Sequence, residues 1–154
     1  MARLSRRILL TVGVFAVAAT GIYAAGGRNL FYAAITEASA ATQIDPMTAH
    51  KQAVAGEITL IDIRRPDEWA RTGSGVGAQQ LDMRRKDFIE ALTTIVNGNT
   101  DSPVALICAR GVRSARMSNL LEQAGFTTII DVPEGMLGSA SGPGWLKRGL
   151  PVTK

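Results

Sequence analysis

The sequence predicts an α/β protein whose central parallel sheet is covered by helices on both faces. Residues 103–107 form a continuous apolar run, and residues 58–63 and 127–132 carry apolar residues on both faces, the signature of strands buried on both sides. Between them lie segments with apolar residues at helical spacing, which alternate with the strands as a three-layer α/β fold requires. Two reactive side chains, Asp62 and Cys108, stand at the carboxyl ends of such strands, where open parallel sheets bind their ligands.

Length and composition agree with a single domain. The 154 residues suit one core, and 46% apolar against 19% charged residues excludes a wholly disordered chain. The single cysteine excludes an intramolecular disulfide and any multi-cysteine zinc or iron–sulfur site.

Taken in order, the elements begin with a leader. Arg3, Arg6 and Arg7 precede an uncharged, mostly apolar stretch over residues 8–27, the pattern of an export signal peptide or a membrane anchor. Four glycines dilute that stretch and favour the signal peptide. The run Ser5-Arg6-Arg7-Ile8-Leu9-Leu10 also resembles the twin-arginine export signal, departing from it at Leu9 and Thr11. Ala38-Ser39-Ala40 is a cleavage candidate, with Ala24 and Ala25 as alternatives. The organisation expected is a leader over 1–27, a small-residue tether over 28–42 and a folded domain over 43–154. The domain would then be exported to the periplasm, either soluble after cleavage or held to the inner membrane by residues 8–27.

Asp45-Pro46 opens a helix running through Val54, with Asp45 as N-cap and Gly56 just beyond the end. The strand at 58–63 is followed by one helical turn from Pro66 to Arg71, a glycine-rich loop over 72–77 and a short strand over 79–83. Phe88, Ile89, Leu92, Ile95 and Val96 share a helical face that Asn97-Gly98 terminates. The strand at 103–107 runs straight into Cys108. Met117, Leu120, Leu121 and Ala124 mark the next helix, ended by Gly125 and followed by the last clear strand at 127–132.

The chemistry concentrates in Cys108-Ala109-Arg110-Gly111-Val112-Arg113-Ser114, between a buried strand and a helix N-terminus. Successive backbone N–H groups in such a loop converge into an anion nest, and the helix adds the positive end of its dipole. Arg110 and Arg113 add formal charge, and Gly111 permits a backbone conformation closed to other residues. All of these favour thiolate over thiol. A cysteine kept only for packing needs neither two arginines nor a glycine within five residues.

The Cys-x-x-Gly-x-Arg-Ser loop after a hydrophobic strand resembles the active-site loop of rhodanese-type sulfurtransferases. Leu60-Ile61-Asp62-Ile63-Arg64 with Asp67-Glu68-Trp69 is similar to that family's early signature. Gly149-Leu150-Pro151-Val152, preceded by Trp145, is similar to its ending. The resemblance spans roughly residues 43–152. It implies a rhodanese-like fold with a parallel sheet of about five strands. It also implies that Cys108 takes a sulfane sulfur from thiosulfate or a persulfide and passes it to a thiol or to cyanide. Backbone groups of Ala109, Arg110, Gly111, Val112, Arg113 and Ser114 would bind the substrate and the persulfide. No metal and no organic cofactor is implied.

By the same resemblance, Asp62 steadies the loop through Arg113 or the loop backbone, or else caps the turn at Pro66. Arg64 and Glu68 match a structural ion pair. His50, on the first helix of the domain, is a packing or solvated residue, and Trp69 and Trp145 belong to the core or a lid. Two departures stand out: Ala109 occupies a place where many members carry arginine, and Gly73-Ser74-Gly75-Val76-Gly77-Ala78 lacks a histidine usual there. The segment 135–144 is long and glycine-rich, suiting a lid or a protein-docking surface. A phosphatase and arsenate-reductase branch of the fold has one more residue between cysteine and arginine than the four found here, so it is disfavoured. The alternative of another class is an exported sulfur carrier or binding module with little turnover.

A pI near 9.7 and a net charge of +4 invite a nucleic-acid partner, but much of that charge is in the leader. From residue 41 onward there are 13 basic and 12 acidic residues, a net of +1. What basicity remains near the cysteine is local, in Arg110, Arg113 and Arg116.

Overall fold

Strand alternation and helix capping build the layers that the apolar pattern requires. The structure, a computed structural model, describes residues 27–154. Residues 1–26 of the expected leader lie outside them, and among the described residues no helix is long and apolar enough to cross a membrane. The elements in chain order are α1 (Arg28–Ile35), β1 (Thr42–Gln43), α2 (Pro46–Val54), β2 (Thr59–Asp62), α3 (Pro66–Thr72), β3 (Ser74–Gly75) and β4 (Ala78–Gln80). They continue with α4 (Phe88–Ile95), β5 (Val104–Ile107), α5 (Val112–Gln123), β6 (Ile129–Val132), α6 (Gly144–Lys147) and β7 (Val152–Thr153).

Five strands form one parallel sheet in the order β1-β6-β5-β2-β4. The three central strands are those read as doubly buried runs, and they carry Leu60, Ile61 and residues 104–107 almost free of solvent contact. Alternation along β5 sends Val104, Leu106 and Cys108 into a core shared with Phe88 and Leu92 of α4 and Met117 and Leu121 of α5. Ala105 and Ile107 point the other way, against Ala49 of α2, Met136 and Trp145 of α6. The pleat therefore assigns the cysteine to the α4/α5 layer.

Local signals account for the helix boundaries. Asp45 Oδ1 accepts the Met47 and Thr48 amides at 2.8 and 3.2 Å, and Pro46 occupies the first turn, so α2 begins where the sequence places it. α4 ends at Ile95, followed by Asn97 and Gly98, which both take positive φ. The face expected for that helix holds at Phe88 and Leu92, whereas Ile89 is exposed; Leu120 of α5 is exposed likewise.

Four expectations are corrected. The segment 28–42 is not a plain tether: Leu30, Phe31 and Tyr32 break its small-residue character, and residues 28–35 form α1. Its end joins the domain, because Thr42 pairs with Ile130 as an edge strand and Ala41 enters the core. The loop at 72–77 contains β3, which pairs antiparallel with β7 near the chain's end, a long-range contact that no local pattern reports. The strand expected at 79–83 lies at Ala78–Gln80, and the single turn at Pro66 extends through Thr72.

Candidate active site

β5 ends at Ile107, and the chain turns through Cys108-Ala109-Arg110-Gly111 before α5 begins at Val112. Gly111 has φ 86°, and a side chain there would collide with the Pro133 carbonyl. The loop is held from behind by the segment after β6. The Met136 amide donates to the Cys108 carbonyl at 2.8 Å, and the Leu137 amide to the Ala109 carbonyl at 2.9 Å. Gly135, at φ 64°, lets that segment approach, since a Cβ there would lie 2.6 Å from the Ala109 carbonyl.

The thiol of Cys108 is buried. Its Sγ accepts the Gly111 amide at 3.2 Å and lies 3.6 Å from Ser114 Oγ, whose hydroxyl donates to the Gly111 carbonyl at 3.0 Å. Val112, Arg113 and Ser114 form the first turn of α5, where a helix supplies no carbonyl for its own amides. A sulfur at the end of β5 is thus placed against the Gly111 N–H and the first turn of a helix.

Arg113 is fixed by Glu68 of α3, with Nη1 and Nη2 each donating at 2.7 Å to one carboxylate oxygen. Burial would raise the Glu68 pKa, but the Arg113 bonds and the Arg65 amide outweigh it and hold the carboxyl at about 2. Glu68, reinforced by the Cys108 sulfur, raises the Arg113 pKa against the effect of burial.

The expected partners are exchanged. Asp62 neither reaches Arg113 nor caps the turn at Pro66. It binds Arg64, whose Nε donates at 2.9 Å and Nη2 at 2.7 Å, and it accepts Ser74 Oγ at 2.8 Å. The pleat explains this: β2 pairs Asp62 with Ile107, so the carboxylate belongs to the α2/α6 layer, opposite the face of Cys108. Arg64 therefore does not pair with Glu68. It also donates to Thr72 Oγ1 and the Gly73 carbonyl, tying the end of α3 to the sheet. His50 is a packing residue as expected, with Nδ1 3.0 Å from the Val76 carbonyl oxygen and its ring 5.5 Å from Trp145.

A cleft of about 420 Å³ opens over the cysteine, walled by Tyr32, Arg65, Glu68, Arg110, Arg113 and Leu137. Arg110 points to its rim, where Nη1 donates to the Gly138 carbonyl at 2.8 Å and the guanidinium lies 5.4 Å from the centre of the Tyr32 ring. Sequence reasoning missed Tyr32 and Arg65. An aromatic residue standing in an apparent tether was the signal for Tyr32. Leu137 lies inside the segment expected to form a lid.

A buried cysteine that accepts a backbone amide between a parallel strand and a helix defines a class of single-thiol group-transfer sites. A family model of the rhodanese-like domain matches residues 45–140, and the chain belongs to that family. A polysulfide-sulfur transferase homodimer from Wolinella succinogenes is similar in structure, with a TM-score of 0.56 and 26% identity, covering 88% of each chain. A protein of unknown function from Rhodopseudomonas palustris, described as a possible tyrosine phosphatase, shares the fold at a TM-score of 0.53. It is 18% identical and covers 73% of this chain and 85% of its own. An uncharacterized protein of Rickettsia prowazekii is 26% identical over 102 residues, or 60% of this chain and 80% of that one. The fold is that of the sulfurtransferases.

Proposed function

We propose that the protein is a sulfurtransferase that carries a sulfane sulfur on Cys108. The observation that carries this reading is the Gly111 amide at 3.2 Å from Sγ, with the first turn of α5 directly beyond. In the first half-reaction the Cys108 thiolate attacks the outer sulfur of thiosulfate. An S–S bond forms at Cys108, the sulfur–sulfur bond of the donor breaks, and its electron pair leaves on sulfite. In the second, a thiolate or cyanide attacks the terminal sulfur, and the electron pair of the S–S bond returns to Cys108. No net redox agent or metal is needed in either step. The amides of the loop stabilise the anionic terminal sulfur as an oxyanion hole stabilises its oxygen. Four residues separate Cys108 from Arg113, a ring matched to a sulfur rather than to a phosphate. A persulfide donor fits the same chemistry, and the polysulfide-sulfur transferase likeness supports the class of substrate.

The basic, apolar leader supports export to the periplasm, with residues 8–27 as cleaved signal or retained anchor. Sequencing the N-terminus of the mature protein and fractionating cells tests this. The segment 135–144 is the face a protein acceptor would meet.

The deciding experiment is incubation with thiosulfate followed by intact mass analysis. One added sulfur on Cys108, removable by cyanide and absent from Cys108→Ser, is the expected result. Turnover of thiosulfate and cyanide that survives Cys108→Ser would overturn the mechanism. Loading without turnover would make the protein a sulfur carrier.

A further inference from the structure

Three guanidinium groups line the cleft, and two are already paired. Arg113 is engaged by Glu68, and Arg65 by Asp67 at 3.0 Å and Glu68 at 3.4 Å. Arg110 is the cleft arginine without a carboxylate partner among the described residues, and residues 1–26 contain no Asp or Glu. Both of its hydrogen bonds use Nη1, to Gly138 O at 2.8 Å and Asn29 Oδ1 at 3.4 Å. The Nε–Nη2 edge, which can pair bidentately with an oxyanion, has no partner among the described residues. An unpaired arginine on a long stem gains little from its charge unless something fixes it. Here two of the three groups that fix it, Asn29 and the face of Tyr32, come from α1, outside the family-matched residues 45–140.

We propose that Tyr32 is a positioning residue for anionic sulfur donors: its ring holds Arg110 at the mouth of the cleft as the receptor for the donor's sulfonate or carboxylate end. This rests on the sulfur-transfer reading and extends it to a residue of the helix that precedes the domain. The shared ligand chemistry is an oxyanion attached to a sulfane sulfur, whether inorganic thiosulfate or an organic persulfide bearing a carboxylate.

The test measures persulfide loading of the full chain against donor concentration for the wild type, Tyr32→Ala, Tyr32→Phe, Arg110→Ala and the Tyr32→Ala/Arg110→Ala pair. Thiosulfate, a carboxylate-bearing organic persulfide and an uncharged alkyl persulfide (RSSH without a carboxylate) serve as donors. Tyr32→Ala should raise the half-saturating concentration of an anionic donor by about five-fold, the scale of a partly exposed cation–π contact, at unchanged maximal rate. A rise with only one of the two anionic donors identifies the source. Tyr32→Phe keeps the ring face and should stay within about two-fold of the wild type. In the Arg110→Ala background the Tyr32 effect should vanish. Equal half-saturation in wild type and Tyr32→Ala, additivity with Arg110→Ala, or an equal effect on the uncharged donor overturns the proposal. If the wild type does not load sulfur, the sulfur-transfer reading fails by itself. Thiosulfate binding to Cys108→Ser by calorimetry, with and without Tyr32→Ala, then decides the Tyr32 role, and equal affinities or no binding refute it.

Discussion

Glu68 and Arg113 meet through two parallel 2.7 Å bonds that join α3 to the first turn of α5, directly beside the cysteine loop. Each residue belongs to an element that a different part of the sheet positions, so this pair fixes the loop relative to β2. It also decides how the local charge is used. With Glu68 ionised, Arg113 is neutralised in place and serves as a strut, and Arg110 carries the unbalanced positive charge at the cleft.

Replacing Glu68 with glutamine leaves the Arg113 guanidinium half-buried with a neutral partner. The expected loss is about 2 kcal/mol of stability in urea denaturation at pH 7, less than for a fully buried pair because Arg113 is partly exposed. The pH dependence gives an independent check. The Glu68 carboxyl is held near 2 in the folded chain against 4.5 ordinarily, so the unfolded chain binds its proton first as pH falls. Its stabilisation is complete above pH 4.5 and is lost progressively towards pH 2. The difference between wild type and Glu68→Gln should shrink across that window; a constant difference would show that the pair is not responsible.

Asp62→Asn separates the loop strut from the strand strut. Asp62 and Arg64 are both fully buried, so the substitution strands a guanidinium charge and should cost roughly 3 kcal/mol. Because Asp62 lies on the sheet face opposite Cys108, sulfur loading per folded molecule should stay within about two-fold of the wild type, the usual independence of sites that share no partner. A large loss of loading at full folding, read by mass analysis and circular dichroism together, would restore Asp62 to the active site.

The cysteine loop was legible because it is local: a strand, a thiol, a glycine and a helix start lie within seven residues, and each constrains its neighbours. The central sheet was legible for the same kind of reason, since doubly apolar runs need two covering layers. The ion pairs were not, because a partner depends on which face a side chain takes and on the register between β2 and β5. Asp62 and Cys108 both sit at strand ends, yet the pleat sends them to opposite layers. Tyr32 escaped because α1 meets the site only through the docking of a segment more than seventy residues from Arg110 in the chain. β3 and β7 pair across a similar separation and escaped likewise.

Gly111→Ala probes the backbone cradle without touching a reactive side chain. At φ 86° alanine is strained, and its methyl group would overlap the Pro133 carbonyl, so the loop or the segment after β6 must shift. Destabilisation of about 2 kcal/mol is expected, together with at least a ten-fold fall in the loading rate, since the Gly111 amide no longer faces Sγ. Loading at the wild-type rate in a folded variant would show that this amide does not stabilise the sulfur.

Asp131 offers the opposite pH signature. It pairs with Leu106 in register, so it faces the α5 layer with Cys108, and both its Oδ1 and the Ser118 Oγ are buried without a partner among the described residues. Burial pushes its carboxyl up from 3.8 to about 6, with the Ser114 hydroxyl and the Val132 amide pulling the other way. Between those values the folded chain holds a proton that the unfolded chain has lost, so this group lowers stability as pH rises from 3.8 to about 6 and imposes its full penalty above that. Asp131→Asn removes the charge at nearly constant shape. The variant should be more stable than the wild type by roughly 2 kcal/mol at pH 7 and no more stable at pH 3.5. Urea midpoints at the two pH values measure this, and a variant less stable at pH 7 would mean that the ionised carboxylate has a partner that outweighs its burial.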